Sequence, residues 1–116
     1  MLRVNLSAVL FVSLFVLAFA FSPKAYADDR SDAWENVSQM IKFIGMGEAS
    51  SVETAGNRAL TSLEKAVDKE ADSGKKDKLR DAMGAVRESL SHAGKGEWPY
   101  AEAAAKRALQ KIEDAR

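Results

Sequence analysis

The sequence contains no cysteine, and this absence excludes several functions at once. A chain without thiols has no disulfide, no thiolate nucleophile and no zinc–thiolate site. It also has neither a CxxCH motif for covalent haem nor a cysteine that could carry a lipoprotein anchor. If the protein is exported, its fold is therefore stabilised without disulfides.

Long apolar runs are lacking after residue 21, and the one run before it is typical of a secretory signal. Arg3 precedes 16 mostly apolar residues, Leu6–Phe21, and Ala25-Tyr26-Ala27 then provides the small-residue pattern that signal peptidase cleaves. A membrane-spanning helix needs about 20 apolar residues, so the run is short for an anchor. We predict a signal peptide over residues 1–27, a mature chain that begins at Asp28, and a periplasmic or secreted location. An uncleaved anchor is the alternative.

Neither sign of charge dominates the predicted mature chain. Without residues 1–27 it has 15 basic and 17 acidic residues, a net charge of −2. Nucleic-acid-binding proteins usually present a basic face, and attraction to anionic lipid also requires basic residues, so the composition argues against both partners. We expect residues 28–116 to form one domain that does not span the membrane, with a free energy of unfolding of about 5 kcal/mol.

Proline and β-branched residues are scarce while alanine is abundant, a composition that favours helix. The spacing of apolar residues predicts four helices, at about 31–43, 50–72, 77–94 and 99–116. Each of the four has one apolar stripe.

Helix-start signals precede three of these segments. We expect Asp29 or Ser31 to cap the first helix. Ser50 and Glu53 have the spacing of a capping box at the start of the second. Pro99 suits the first turn of the fourth helix, where its missing N–H costs nothing.

The chain contains an internal repeat. Residues 39–66 align without a gap to residues 88–115 at an offset of 49, and ten of the 28 positions are identical. Duplication of a helical hairpin predicts an all-α fold, an antiparallel four-helix bundle with hairpin repeats at about 31–73 and 77–116. A three-helix or extended arrangement is the alternative, and it would leave one apolar stripe exposed to water.

The sequence has one histidine, His92, just before the second glycine turn. Glu88 lies one helical turn earlier and Glu97 lies just after the glycines, so an imidazole and two carboxylates can approach one another. These groups are ligands for copper, zinc or nickel, and we predict a weak divalent-metal site at Glu88, His92 and Glu97. Because metal sites usually have three or four protein ligands, the alternative is an exposed histidine favoured by the helix dipole.

Two aromatic residues, Trp98 and Tyr100, flank Pro99 after this turn. Exposed aromatic side chains at a hairpin tip are a candidate anchor for another protein. The alternative for Trp98 is a hydrophobic staple that holds the turn against the end of the bundle.

Catalytic motifs are lacking, and we expect that the protein is not an enzyme. His92 is not accompanied by a strained nucleophile turn, as a serine–histidine–acid triad would require. A haem-binding bundle of the cytochrome b562 type is a distant alternative, since such bundles hold haem between a methionine and a histidine. In that family the histidine is on the last helix, and the last predicted helix here has none.

The repeated pattern, a helix ending in G-x-G-E and a second helix with A-L-x-x-L/I-E-x-A, resembles the small metal-binding protein family of periplasmic bacterial proteins. It stands as "IKFIGMGEASSVETAGNRALTSLEKA" and as "SLSHAGKGEWPYAEAAAKRALQKIEDA". The resemblance implies an exported four-helix bundle that binds divalent metal, chiefly copper, through many histidines. Here only His92 is present, Phe43 stands at its repeat position, and Glu48 and Glu97 follow the glycines where that family tends to place histidine. The resemblance therefore implies the fold and the compartment more strongly than it implies metal binding.

Overall fold

The computed structural model describes the backbone of residues 24–116 and the side chains of residues 29–116, and this part of the chain is all-helical. Its four helices are α1 (Lys24–Met46), α2 (Ala49–Lys69), α3 (Ser73–Gly94) and α4 (Trp98–Asp114). The predicted signal peptide lies outside the described residues, except for Lys24–Ala27 at the start of α1. Within residues 24–116, no helix combines the length and the apolar character that crossing a bilayer requires.

Each helix packs against two others along its length. Helices α1 and α2 form one close pair and α3 and α4 the other, while α2 also packs against α3 and α1 against α4. This arrangement is compatible with a four-helix bundle. Because the connections are two or three residues long, the turns that follow α1 and α3 lie at the same end. We call residues 45–49 and 94–98 together the glycine-turn end.

Small residues fill most of the core, so the helices approach one another closely. The apolar stripes predicted from the sequence are buried or lie at the rim of the core, and α2 also buries Gly56. The largest fully buried side chains are those of Met40, Leu63, Leu79, Ile112, Val37, Val52, Val86 and Ser89. Ser89 is the one polar residue among them, and its Oγ donates a hydrogen bond of 2.7 Å to the carbonyl oxygen of Ala101.

Two predicted helix caps are wrong. The described part of helix α1 runs from Lys24, so Asp29 and Ser31 lie inside the helix and not at its N-cap. Helix α2 has Glu48 at its N-cap, and Ser50 and Glu53 lie within the helix rather than forming a capping box. The turn before α2 fixes Glu48 as the last non-helical residue.

Helix α3 begins at Ser73, four residues before the predicted start at Asp77. Asp72 is its N-cap, and the carboxylate of Asp72 accepts a hydrogen bond of 2.9 Å from the backbone N–H of Lys75. This cap satisfies one of the free N–H groups of the first turn. Pro99 lies in the first turn of α4, as predicted.

Ion pairs connect three helix ends at the opposite end of the molecule. Arg30 pairs with Glu70 and also donates a hydrogen bond of 3.0 Å to the carbonyl oxygen of Ala115. Lys69 Nζ lies 2.7 Å from Asp29 Oδ2. Asp29 and Arg30 thus attach α1 to the ends of α2 and α4.

Candidate functional site

The first turn of the glycine-turn end is fixed by two backbone hydrogen bonds. The N–H of Gly47 donates to the carbonyl oxygen of Ile44 over 3.0 Å, and the N–H of Glu48 donates to that of Phe43 over 3.1 Å. This pair of bonds is the Schellman motif, which requires a left-handed residue after the helix. Gly47 meets that requirement with φ of 69°.

The second turn has the same two bonds at an offset of 49 residues. The N–H of Gly96 donates to the carbonyl oxygen of Ala93 over 3.0 Å, and the N–H of Glu97 donates to that of His92 over 2.9 Å. Gly96 has φ of 74°. Of the two glycine pairs common to both copies, the pair Gly47 and Gly96 is thus required by the backbone of the turn.

Glu48 and Glu97 occupy the N-cap positions of α2 and α4. Neither side chain makes a capping hydrogen bond, so each carboxylate is available to another partner near a helix N-terminus, where negative charge is favoured. Glu48 Oε2 accepts a hydrogen bond of 3.2 Å from Ser51 Oγ. Glu97 Oε1 instead lies 2.8 Å from His92 Nδ1.

The imidazole of His92 lies between the two predicted carboxylate partners. Nδ1 contacts Glu97, and Nε2 lies 4.0 Å from Glu88 Oε1. The structure therefore brings the three predicted residues together. Because the two ring nitrogens point in different directions, the two carboxylates do not meet at a single nitrogen.

Arg107 is a fourth member of this cluster. Its guanidinium nitrogen lies 3.1 Å from Glu88 Oε1, the same oxygen that faces His92. The hydrogen bond from Arg107 lowers the pKa of Glu88 below its usual value, and the same bond raises the pKa of Arg107. Glu88 is thus held as a carboxylate.

Sequence reasoning did not assign Arg107 to the site. In the sequence, Arg107 is one of the ten identical positions of the repeat, and its counterpart in the first copy is Arg58. Since it lies on α4 while Glu88 lies on α3, only the packing of the two helices reveals their contact.

The two predicted interaction residues differ in exposure. Tyr100 is 65% exposed, and its ring centroid lies 5.5 Å from that of His92 with the planes tilted by 33°. Trp98 is partly buried and packs against the core. Tyr100 is therefore the better candidate for contact with a partner.

The donor groups limit what the cluster can hold. Among the residues that the structure describes, no group of three or more histidine, aspartate and glutamate side chains is arranged to bind a metal ion. Apart from the contact of His92 Nδ1 with Glu97, the two donors that lie close together are His92 Nε2 and Glu88 Oε1, which are 4.0 Å apart. The geometry thus fits at most two protein ligands to one ion, which is fewer than a structural metal site uses.

Comparison of the chain with protein-family models, with curated proteins and with solved structures finds no match.

Proposed function

We propose that the protein is an exported, non-enzymatic four-helix bundle of two antiparallel hairpins that binds a divalent metal ion weakly at His92. The observation that carries the metal proposal is the alignment Glu97–His92–Glu88, with contacts of 2.8 Å and 4.0 Å on opposite sides of one imidazole.

The matching turns support the origin of the fold by duplication. Both have a positive-φ glycine and the same two backbone bonds, in addition to the repeated sequence. Two hairpins joined by residues 70–72 and packed side by side form an antiparallel bundle.

The contacts at the other end are compatible with export. Cleavage after Ala27 would remove the apolar leader and leave Asp29 and Arg30 in the mature chain. Their contacts with Lys69, Glu70 and Ala115 would then still hold the start of α1 in place.

Glu97 acts in this proposal as a positioning residue rather than as a ligand. A histidine that binds metal commonly donates its other ring N–H to a carboxylate, which fixes the tautomer and the orientation of the ring. When Nδ1 donates to Glu97, Nε2 has the free lone pair and faces Glu88. One nitrogen and one oxygen are suitable ligands for copper, nickel or zinc. The usual order of affinity for divalent metals favours copper, and so does the family resemblance.

Arg107 weakens the site. Its guanidinium is bound to the Glu88 oxygen that a cation would need, so metal binding has to displace an existing ion pair. Two ligands and this competition together predict low affinity.

Calorimetric titration of the purified protein with Cu²⁺ and with Zn²⁺ tests the proposal. We expect a dissociation constant tighter than ~1 mM that is lost in His92→Ala. Glu97→Gln should weaken binding about tenfold because the imidazole loses its orienting partner. The matched control is Glu48→Gln, at the same position of the first hairpin, and it should bind as the wild type does.

Arg107→Gln gives an effect of the opposite sign. Removal of the competing guanidinium should tighten metal binding several-fold. Affinity weaker than ~1 mM for both ions, or affinity that does not change in His92→Ala, would refute metal binding at this site. Unchanged affinity in Arg107→Gln would show that Glu88 is not a ligand.

A structural or protein-interaction module without metal is the second candidate, and the 65% exposure of Tyr100 at the hairpin tip favours it. Under this hypothesis Tyr100→Ala abolishes co-purification of a partner while the melting temperature stays the same. Trp98→Ala is a poorer test, because Trp98 packs against the core and its loss should also destabilise the fold. Co-purification that is insensitive to Tyr100→Ala would contradict this candidate.

The haem-binding alternative is not favoured by any contact of the described residues. Met40 is fully buried in the core, and His92 Nδ1 is engaged with Glu97.

A further inference from the structure

A groove of about 260 Å³ lies between α1 and α2 on the first hairpin. It is smaller than the pockets that usually hold drug-sized ligands, which begin at roughly 300 Å³. One aromatic ring, one guanidinium and several uncharged polar groups line it, from Gln39, Phe43, Ser50, Ser51, Thr54 and Arg58.

Arg58 is the only charged residue of this lining. Within residues 29–116, its side chain forms no ion pair and no hydrogen bond with another described side chain or backbone group. An unpaired guanidinium beside a groove is a donor for a carboxylate, which it binds through two parallel N–H groups.

The second hairpin shows what this guanidinium lacks. At the repeat offset, Arg58 corresponds to Arg107 and Gln39 corresponds to Glu88. Arg107 is paired with the Glu88 carboxylate at 3.1 Å, whereas a neutral carboxamide stands at that place in the first hairpin. The groove between α1 and α2 thus contains the arginine but no carboxylate that pairs with it.

The aromatic groups differ in the same way. His92 has the ring of Tyr100 beside it at 5.5 Å. The corresponding residues of the first hairpin are Phe43 and Ser51, so a ring is retained at one position and absent at the other. A carboxylate and a ring that the second hairpin supplies from its own side chains are both missing from the first.

We propose that the groove between α1 and α2 binds a small aromatic carboxylate. Its carboxylate pairs with the guanidinium of Arg58, and its ring lies against the ring of Phe43, on the hairpin that has Ser51 where the other has Tyr100. This site is on the hairpin opposite to His92, and it does not depend on metal binding.

Titration of the ¹⁵N-labelled protein with benzoate, followed by NMR, tests the site. We expect saturable shifts of the backbone amides near Arg58 and Phe43, with a dissociation constant of ~1 mM. Acetate lacks the ring and benzyl alcohol lacks the charge, so each should bind at least about tenfold more weakly than benzoate.

Two substitutions that remove the free guanidinium by different routes should have the same effect. Arg58→Gln deletes it, and Gln39→Glu supplies the internal carboxylate that the second hairpin has; each should weaken benzoate binding at least about tenfold. The matched control Arg107→Gln should bind benzoate as the wild type does. Circular dichroism melts establish that each variant is folded.

Three results would overturn the proposal. They are the absence of saturable shifts up to ~20 mM benzoate, equal binding by Arg58→Gln, or acetate binding as tightly as benzoate.

Discussion

Alanine substitutions at two neighbouring glycines, Gly45 and Gly47, should change stability in opposite directions. Gly45 lies within α1 with an ordinary helical backbone, whereas Gly47 has φ of 69°. A Cβ built at either position meets no other atom within 4 Å. The effect of each substitution therefore comes from backbone conformation and not from a steric clash.

The expected magnitudes follow from the backbone. An L-residue in the left-handed conformation costs about 1–2 kcal/mol, and the reduced entropy of the unfolded chain offsets about 0.4–1 kcal/mol of it. Gly47→Ala should therefore lower the free energy of unfolding by about 1 kcal/mol. At Gly45 alanine is the better helix former, and Gly45→Ala should raise the free energy of unfolding by about 0.5–1 kcal/mol.

Thermal and urea unfolding measure both effects. For a domain of this size, 1 kcal/mol corresponds to a shift of roughly 4–8 °C in the melting temperature. Gly96→Ala should match Gly47→Ala, because the second turn has φ of 74° and the same hydrogen bonds. Gly94→Ala should resemble Gly45→Ala with a smaller gain, since Gly94 is the last residue of its helix.

Two results of these glycine substitutions would refute the reasoning. If Gly47→Ala is as stable as the wild type, the left-handed turn is not a requirement of the fold. If Gly96→Ala and Gly47→Ala differ by more than about 0.5 kcal/mol, the two turns are not energetically equivalent, beyond the usual error of such comparisons.

Two further predictions concern contacts between α3 and α4. Ser89→Ala should lower the free energy of unfolding, measured in urea, by about 1 kcal/mol, because it removes the buried hydrogen bond of 2.7 Å to Ala101. The exposed control Ser91→Ala should leave the free energy of unfolding unchanged. Equal stability of the two variants would contradict this reasoning. Glu88→Gln should lower the urea midpoint slightly at pH 7, and this difference should shrink as the pH is lowered below 4.5. Arg107 lowers the pKa of Glu88, so the contribution of this exposed pair is present above the usual value of 4.5 and is lost as pH falls through the lowered pKa. A difference that does not shrink as the pH is lowered would refute this reasoning.

The number of helices and their buried faces could be predicted from the sequence because four periodic apolar stripes are present. The helix starts could not be predicted equally well, since several residues that can cap a helix lie close together. Ser50 and Glu53 have the spacing of a capping box, yet α2 starts at Ala49 because the Schellman turn ends at Glu48. Asp72 precedes the predicted start of α3 at Asp77 and forms the actual cap.

The proximity of the three predicted site residues could be inferred from local spacing. Glu88 and His92 are one helical turn apart, and Glu97 follows across a tight turn. Which ring nitrogen each carboxylate would face could not be inferred, because it depends on the geometry of that turn. The contact of Arg107 with Glu88 crosses between two helices, so it needed the packing as well.

The repeated turns are compatible with a different proposed site on each hairpin. The turn bonds use the carbonyl oxygens of Phe43 and His92 and not their side chains, so these positions can diverge without loss of the turn. The same holds for Gln39 and Glu88, whose side chains take no part in the turns. One such difference leaves the guanidinium of Arg58 without a carboxylate. A single side chain therefore distinguishes the unpaired Arg58 of the first hairpin from the paired Arg107 of the second. Gln39→Glu should give Arg58 a carboxylate partner, as Glu88 is for Arg107, while the fold stays the same.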